Sequence, residues 1–411
     1  MDYPSNIKIS IIALTLILLV SCMAPAALAF PYESSDQPIQ DALNYLKDQQ
    51  NADGSIGSAS YNCWVIQAIA AAGENPNNWK YQGNGPSPVD YLRNQVQSNW
   101  SSIKDDPFNP PNTIARTILA VVAAGGDPRS FGGQNLVEEL FEYVDSQTGE
   151  VNNPKDPNTI NEEPWCIMAL ISAGVSKSSQ TIKNMVEFLK QQQNNDGGWG
   201  YAKGVSSDVD CTAAVTLALL VAGESTSSQV IQDALNFIKN NQGSGGGFIS
   251  WGSENIYSTT WVVWALNAAN EDPTSNNWKK NGNSPIDFIL SKQQADGSYS
   301  SDIYVTACAI IALLGSYPPV KILTSVVKEV DISKMLTFQS QARSILETEG
   351  DVNKAYELLA EAGYLPETPP KLPKSLYDRL AEIYGPNLER YPTIEGRILL
   401  LKSFGIEFLH S

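Results

Sequence analysis

The sequence predicts an all-α protein, an α/α toroid of about six helix pairs in an inner and an outer ring, with a small C-terminal helical appendage. Three observations predict it. A frame of Gln, Gly and a large apolar or aromatic residue recurs at a period of roughly fifty residues. Each copy is followed by a segment that is apolar on nearly every helical face, which can be stable only when buried all round. Each apolar segment stops at Gly or Asn, the residue types that accept the left-handed conformation beyond a helix end.

Residues 1–29 read as a signal peptide: Lys8 precedes the apolar run from Ile9 to Val20, and Ala27-Leu28-Ala29 supplies small residues for cleavage before Phe30. Leu19-Val20-Ser21-Cys22 also resembles a bacterial lipobox, the alternative that moves the cut to Cys22 and adds a lipid anchor. The expected location is therefore secreted or at the extracytoplasmic cell surface. No membrane span is expected after cleavage, because turns break each later apolar run within about a dozen residues.

Residues 30–318 hold the repeats. The frame is clearest as Tyr45-Leu46, Gln50, Asp53-Gly54-Ser55-Ile56, and as Phe188-Leu189, Gln193, Asp196-Gly197-Gly198-Trp199. It recurs as Phe237-Ile238, Gln242, Gly246-Gly247-Phe248, and as Phe288-Ile289, Gln293, Gly297-Ser298-Tyr299. Weaker copies begin at Tyr91-Leu92 and Tyr143-Val144. An amphipathic helix should end near each Gln, where Gly permits the turn, and the Gln amide should bond free carbonyls of that helix or free N–H groups of a neighbour. The apolar second helices are 63–72, 115–124, 165–173, 211–222, 261–269 and 306–314, stopped by Gly73, Gly125, Gly174, Gly223, Asn270 and Gly315. Ser87-Pro88 and Ser284-Pro285 mark helix starts, with Ser as cap and Pro in the first turn. An open solenoid has a similar pattern. Closure is favoured because an open array would leave a large apolar face exposed. A closed ring brings Cys63 near Cys308 and Cys166 near Cys211.

Residues 319–411 lose the frame and become charged and helical over 332–347 and 352–362. A Pro-rich link at 366–373 leads to helical stretches near Leu376 and Ile398. The net charge of −17 and the lack of a Lys/Arg cluster exclude a nucleic-acid partner. The cysteines form no CxxC pair and the only histidine is His410, so neither a metal nor a cofactor is expected.

The Gln-x-x-x-Gly-x-aromatic frame resembles the QW motif of squalene and oxidosqualene cyclases. The ring of helix pairs resembles that family together with the protein prenyltransferase β subunits. The long loops within Gly73 to Leu92 and Asn270 to Ile289 look like those of exported proteins carrying prenyltransferase and squalene-oxidase repeats. Asp208-Val209-Asp210-Cys211-Thr212-Ala213 is similar to the acidic signature of protonation-initiated cyclases. That resemblance implies Asp210 as proton donor, Asp208 and Cys211 as its hydrogen-bonding surroundings, and Cys166 close by. Tyr61, Trp64, Trp165, Tyr257, Trp261, Trp264 and Tyr304 lie at or near the inner-helix starts and could line a cavity whose π faces stabilise cations. Prenyltransferase zinc chemistry is excluded, because those β subunits bind zinc through Asp-x-Cys and a distant His, whereas here two residues separate Asp208 from Cys211 and the sole His lies in the tail.

A second reading of Asp210 is structural. Counting back from the terminating Gly or Asn, its equivalents are Ser60, Asn112, Asn161, Tyr257 and Asp302, mostly residues that cap helices. Trp79, Trp251 and Trp278 read as exposed loop aromatics that could stack sugars. The leading expectation is a non-catalytic module binding an apolar or isoprenoid-like small molecule, or a cell-surface partner. The alternative is a class II terpene cyclase with Asp210 as general acid.

Overall fold

The computed structural model describes residues 29–104, 106, 109–323, 340–342, 344–345, 348–349 and 351–361. The signal peptide and lipobox, the Pro-rich link and the stretches near Leu376 and Ile398 lie outside the described residues, as does most of 332–347. The chain divides into two compact units, one reaching Thr324 apart from Ser178–Lys183, the other made of that segment and Ser325–Ser411. In the second unit, a helix over Val352–Glu361 buries Ala355 and Leu359, and Lys354 pairs with Glu349 at 2.7 Å.

In chain order the helices are α1 Gln37–Asp48, α2 Ala59–Ala71, α3 Pro88–Ser98, α4 Trp100–Lys104, α5 Pro110–Ala123, α6 Leu136–Phe141 and α7 Glu163–Ser172. They continue as α8 Gln180–Gln191, α9 Val209–Ala222, α10 Gln229–Asn240, α11 Ile256–Ala268, α12 Pro285–Leu290, α13 Ile303–Leu313 and α14 Val352–Glu361. An antiparallel hairpin, β1 Phe248–Ser250 with β2 Ser253–Asn255, precedes α11.

The inner ring closes. α2 packs on α5, α5 on α7, α7 on α9, α9 on α11, α11 on α13, and α13 back on α2. Sequence explains which helices go inside. In α13 every residue from Val305 to Leu313 is buried. In α1 only Ile39, Ala42, Leu43 and Leu46 are, and in α10 the same spacing buries Ile231, Ala234, Leu235 and Ile238. Such a single stripe suits a helix with one face to solvent. Gly73, Gly125, Gly174, Gly223, Asn270 and Gly315 all have positive φ, as the helix stops require.

Outer helices pack on the inner helix that precedes them: α3 on α2, α6 on α5, α10 on α9, α12 on α11. The first outer helix has no predecessor, and α1 packs instead on α13, the last inner helix. Tyr32 N–H donates to the Leu313 carbonyl at 2.9 Å along the same seam. The ends of the repeat thus meet each other as neighbouring repeats do.

The Gln frame supplies the stitching, with different partners from those the sequence suggested. Gln193 Nε2 donates to the Gly197 carbonyl at 2.8 Å and to Val230 O of α10 at 2.9 Å. Gln242 donates to Gly246 O and Trp278 O, and Gln293 to Gly297 O and Pro38 O. Each amide therefore ties its own turn to a carbonyl at the next outer segment. The residue after the turn is buried as a wedge, and its N–H is received by a side chain in the first turns of the following inner helix. Trp199 N–H goes to Thr212 Oγ1 at 3.0 Å, Phe248 to Thr259 at 3.0 Å, Tyr299 to Thr306 at 2.9 Å, and Ile56 to Asn62 Oδ1 at 3.1 Å.

Candidate functional site

The N-terminal halves of the six inner helices surround a cavity of about 490 Å³. A second lobe of about 330 Å³ shares Asp210, Tyr257, Trp261 and Tyr304 and reaches Asn255 and Trp251 on the hairpin tip. Both volumes lie in the range of small-molecule sites.

Six of the predicted aromatics line the main cavity: Tyr61, Trp64, Trp165, Tyr257, Trp261 and Tyr304. They form one continuous stack. Trp64 meets Trp165 edge-on at 5.4 Å, Trp165 meets Trp261 at 5.1 Å, and Tyr304 stacks between Tyr61 at 5.8 Å and Tyr257 at 6.0 Å. Trp261 Nε1 donates to Tyr304 OH at 2.9 Å, which fixes both rings. Trp264 is fully buried behind this wall, stacked on Trp64 at 5.6 Å, and does not line the cavity. One turn along α11 from Trp261 carries it out of reach. Cys166 is likewise fully buried away from the lining. All four cysteines in the described residues are free thiols.

Asp210 is not a cap. The capping residue of α9 is Asp208, whose Oδ1 accepts the Cys211 N–H at 2.8 Å. The side chains of Ser58, Asn109, Asn255 and Asp302 cap four of the other inner helices and α7 has no side-chain cap, so of the five positions set in register with Asp210 only Asp302 caps. Counting from the far end failed because the helices differ in length: α9 has 14 residues and α13 has 11. Asp210, two residues into α9, turns its side chain into the cavity instead. Ser250 Oγ donates to its Oδ2 at 3.3 Å, while Oδ1 is shut off from solvent with no hydrogen-bond partner. Burial raises its pKa, with the Asp208 charge adding to the rise and the Ser258 and Ser250 hydroxyls opposing it. Burial outweighs the hydroxyls, so the net shift is upward. Cys211 also lines the cavity, its thiol pushed up by burial and by Asp208.

Of the other cavity residues, Ser60, Asn112 and Asn161 were expected only as capping equivalents of Asp210, and Arg116 was not singled out. Ser60, Asn112 and Asn161 add a polar arc across α2, α5 and the turn before α7, and Arg116 of α5 adds a cation. Asn112 Nδ2 donates to Asn161 Oδ1 at 3.3 Å, and Arg116 donates to Ser60 Oγ. Behind them Glu162 and Glu163 are fully buried. Glu162 Oε1 accepts from Asn109 at 2.7 Å, Asn153 at 2.8 Å and Thr159 at 2.7 Å. Glu163 Oε1 accepts the Val151 N–H at 3.0 Å, and burial raises its pKa to about 8. A signal for Arg116 and Glu163 existed: with Asp210 they are the only charged side chains within the six inner helices.

Of the loop aromatics expected to be exposed, only Trp251 is, at 97%. Trp79 and Trp278 are buried wedges whose Nε1 atoms donate to Glu74 at 2.7 Å and Glu271 at 3.0 Å. Their parallel loops are structural clasps rather than sugar platforms. Among the described residues no group of three or more His, Cys, Asp or Glu could hold a metal, and no helix is long and apolar enough to cross a membrane.

None of the curated proteins matches this chain. Among solved structures, type II terpene cyclase MstE from Scytonema is 14% identical with a TM-score of 0.44, covering 67% of this chain and 96% of its own. An ent-copalyl diphosphate synthase from Streptomyces platensis is 16% identical with a TM-score of 0.43, covering 63% and 50%. A glycosidase variant is 13% identical with a TM-score of 0.47, covering 69% and 97%. Two family models match the sequence itself: the squalene-hopene cyclase N-terminal domain over residues 159–247 and the C-terminal domain over residues 205–307. Both matches include the Gln193 to Trp199 frame or the Asp210 helix, so over residues 159–307 the sequence is similar to the squalene-hopene cyclase family.

Proposed function

We propose that this chain is an exported protein that binds an apolar, isoprenoid-like small molecule in the central cavity and protonates it from Asp210. The observation that carries the reading is the Asp210 side chain lining an aromatic-walled cavity, with its pKa raised by burial. A proton leaves that carboxyl for an alkene or epoxide, forming a C–H or O–H bond and a carbocation. Ring closure or rearrangement follows, a second proton departs from the product, and Asp210 is reprotonated through the mouth, so the net reaction is an isomerisation. Trp64, Trp165 and Trp261 present π faces to the cation. Wild type and Asp210→Asn are compared on squalene, oxidosqualene and geranylgeranyl diphosphate, with products resolved by mass spectrometry. Cyclic product is expected from wild type and at least about a hundredfold less from the variant. Because Asp210 must be protonated to act, product formation should fall as pH rises through its raised pKa.

One observation favours binding without turnover. Tyr61 and Tyr257 at the mouth are 39% and 46% exposed, and water admitted there would quench a cation. Saturable binding of these compounds with no product from either protein would establish that reading.

A further inference from the structure

We propose that the cavity's occupant carries an anionic head, a carboxylate or a phosphate, and that Arg116 receives it. The proposal rests on the reading of the cavity as an apolar-ligand site and specifies which end of the ligand goes where. Arg116 is the only cationic side chain among the lining residues. Its hydrogen-bond partner is the neutral Ser60 hydroxyl, and among the described residues no carboxylate pairs with it. Glu162, Glu163 and Asp210 each have one oxygen hydrogen-bonded elsewhere, to Asn109, Asn153 and Thr159, to the Val151 N–H and to Ser250 respectively, and one oxygen without a partner, and none forms an ion pair with Arg116. A half-buried guanidinium facing aromatic rings without a counter-charge is costly, and an oxyanion matches its fork of donors.

The lining is two-sided in the same sense. Ser60, Asn112, Arg116 and Asn161 of α2, α5 and the turn before α7 supply polar groups on one arc, while α11 and α13 contribute mainly the rings of Tyr257, Trp261 and Tyr304, with Tyr61, Trp64 and Trp165 completing the aromatic lining. α7 separates Arg116 on α5 from Asp210 on α9 in the ring order. An amphiphile whose head sits on Arg116 lays its apolar body along the aromatic rings of the same cavity.

Isothermal titration calorimetry at neutral pH with farnesol, farnesoic acid and farnesyl phosphate tests this on the wild-type protein, Arg116→Gln and Arg116→Lys. Wild type is expected to bind at least one anionic probe about tenfold or more tightly than farnesol, as a charge-assisted pair implies. The stronger of the two anions identifies the head. Arg116→Gln should erase the preference, with a thermal melt like that of wild type showing that the variant is folded, and Arg116→Lys should retain part of it. Equal affinity for all three probes in wild type, equal weakening of all three by Arg116→Gln, or no binding of any probe overturns the proposal. Turnover without head preference removes only the role of Arg116, and head preference without turnover removes only that of Asp210.

Discussion

Replacing Glu163 by glutamine is expected to stabilise the protein by up to about 5 kcal/mol above pH 8 and to change little near pH 4. Glu163 is fully buried at the start of α7, and burial lifts its pKa to about 8, with the Glu162 and Glu150 charges adding and the Val151 N–H opposing. In the unfolded chain the same carboxyl titrates near the ordinary glutamate value of about 4.3. The folded state thus binds a proton that the unfolded state has released throughout the interval between those two values. Stability tied to this group is complete below the unfolded pKa and declines as pH rises through about 8. Glutamine keeps the oxygen that accepts the Val151 N–H and carries no charge at any pH. Urea unfolding of both proteins across this range reads the effect directly. Parallel curves, with the same difference at every pH, would mean that Glu163 is ionised in the native protein.

That carboxyl also shows where sequence reading succeeded and where it stopped. The ring was legible because burial all round, left-handed helix stops and the Gln turn are local patterns, each repeated in register. The cavity aromatics were legible because they sit at the starts of those same helices. The role of Asp210 was not, because capping depends on the helix start, and a register counted from the end slips whenever helix lengths differ. Asp208 and Asp210 are chemically alike; only the backbone entering α9 decides that the first binds an N–H and the second faces the cavity. Arg116 and Glu163 were overlooked for a different reason. A single charge in an apolar run is conspicuous, yet whether it meets a counter-charge is a tertiary fact. Trp79 and Trp278 erred the other way: both sit in polar loops, and their burial depends on Glu74 and Glu271 accepting their indole N–H groups.

Ring closure gives the second large effect. Gly297→Ala is expected to destabilise by about 3 kcal/mol or more, whereas Gly73→Ala should cost about 1 kcal/mol. Both glycines have positive φ, +86° and +80°, so both substitutions incur the left-handed penalty of an L residue. They differ in what the new methyl meets. At Gly73 there is nothing within 4 Å, while at Gly297 the added carbon would fall 2.3 Å from the Asp41 carbonyl oxygen of α1. That oxygen belongs to backbone, so no rotamer change relieves the clash; the turn and α1 must part. The same turn bears Gln293, whose amide holds Pro38 O of α1 at 2.8 Å. Separating them therefore breaks the junction between the last repeat and the first outer helix. Hydrogen exchange should show α1 amides losing protection in Gly297→Ala and not in Gly73→Ala. Gly197→Ala makes the matching test inside the ring, since its methyl would fall 2.6 Å from Asp233 O of α10. If Gly197→Ala and Gly297→Ala lose similar stability, the closing seam is as strong as an internal one. If Gly297→Ala costs no more than Gly73→Ala, α1 is a loosely held strap and the ring does not depend on it.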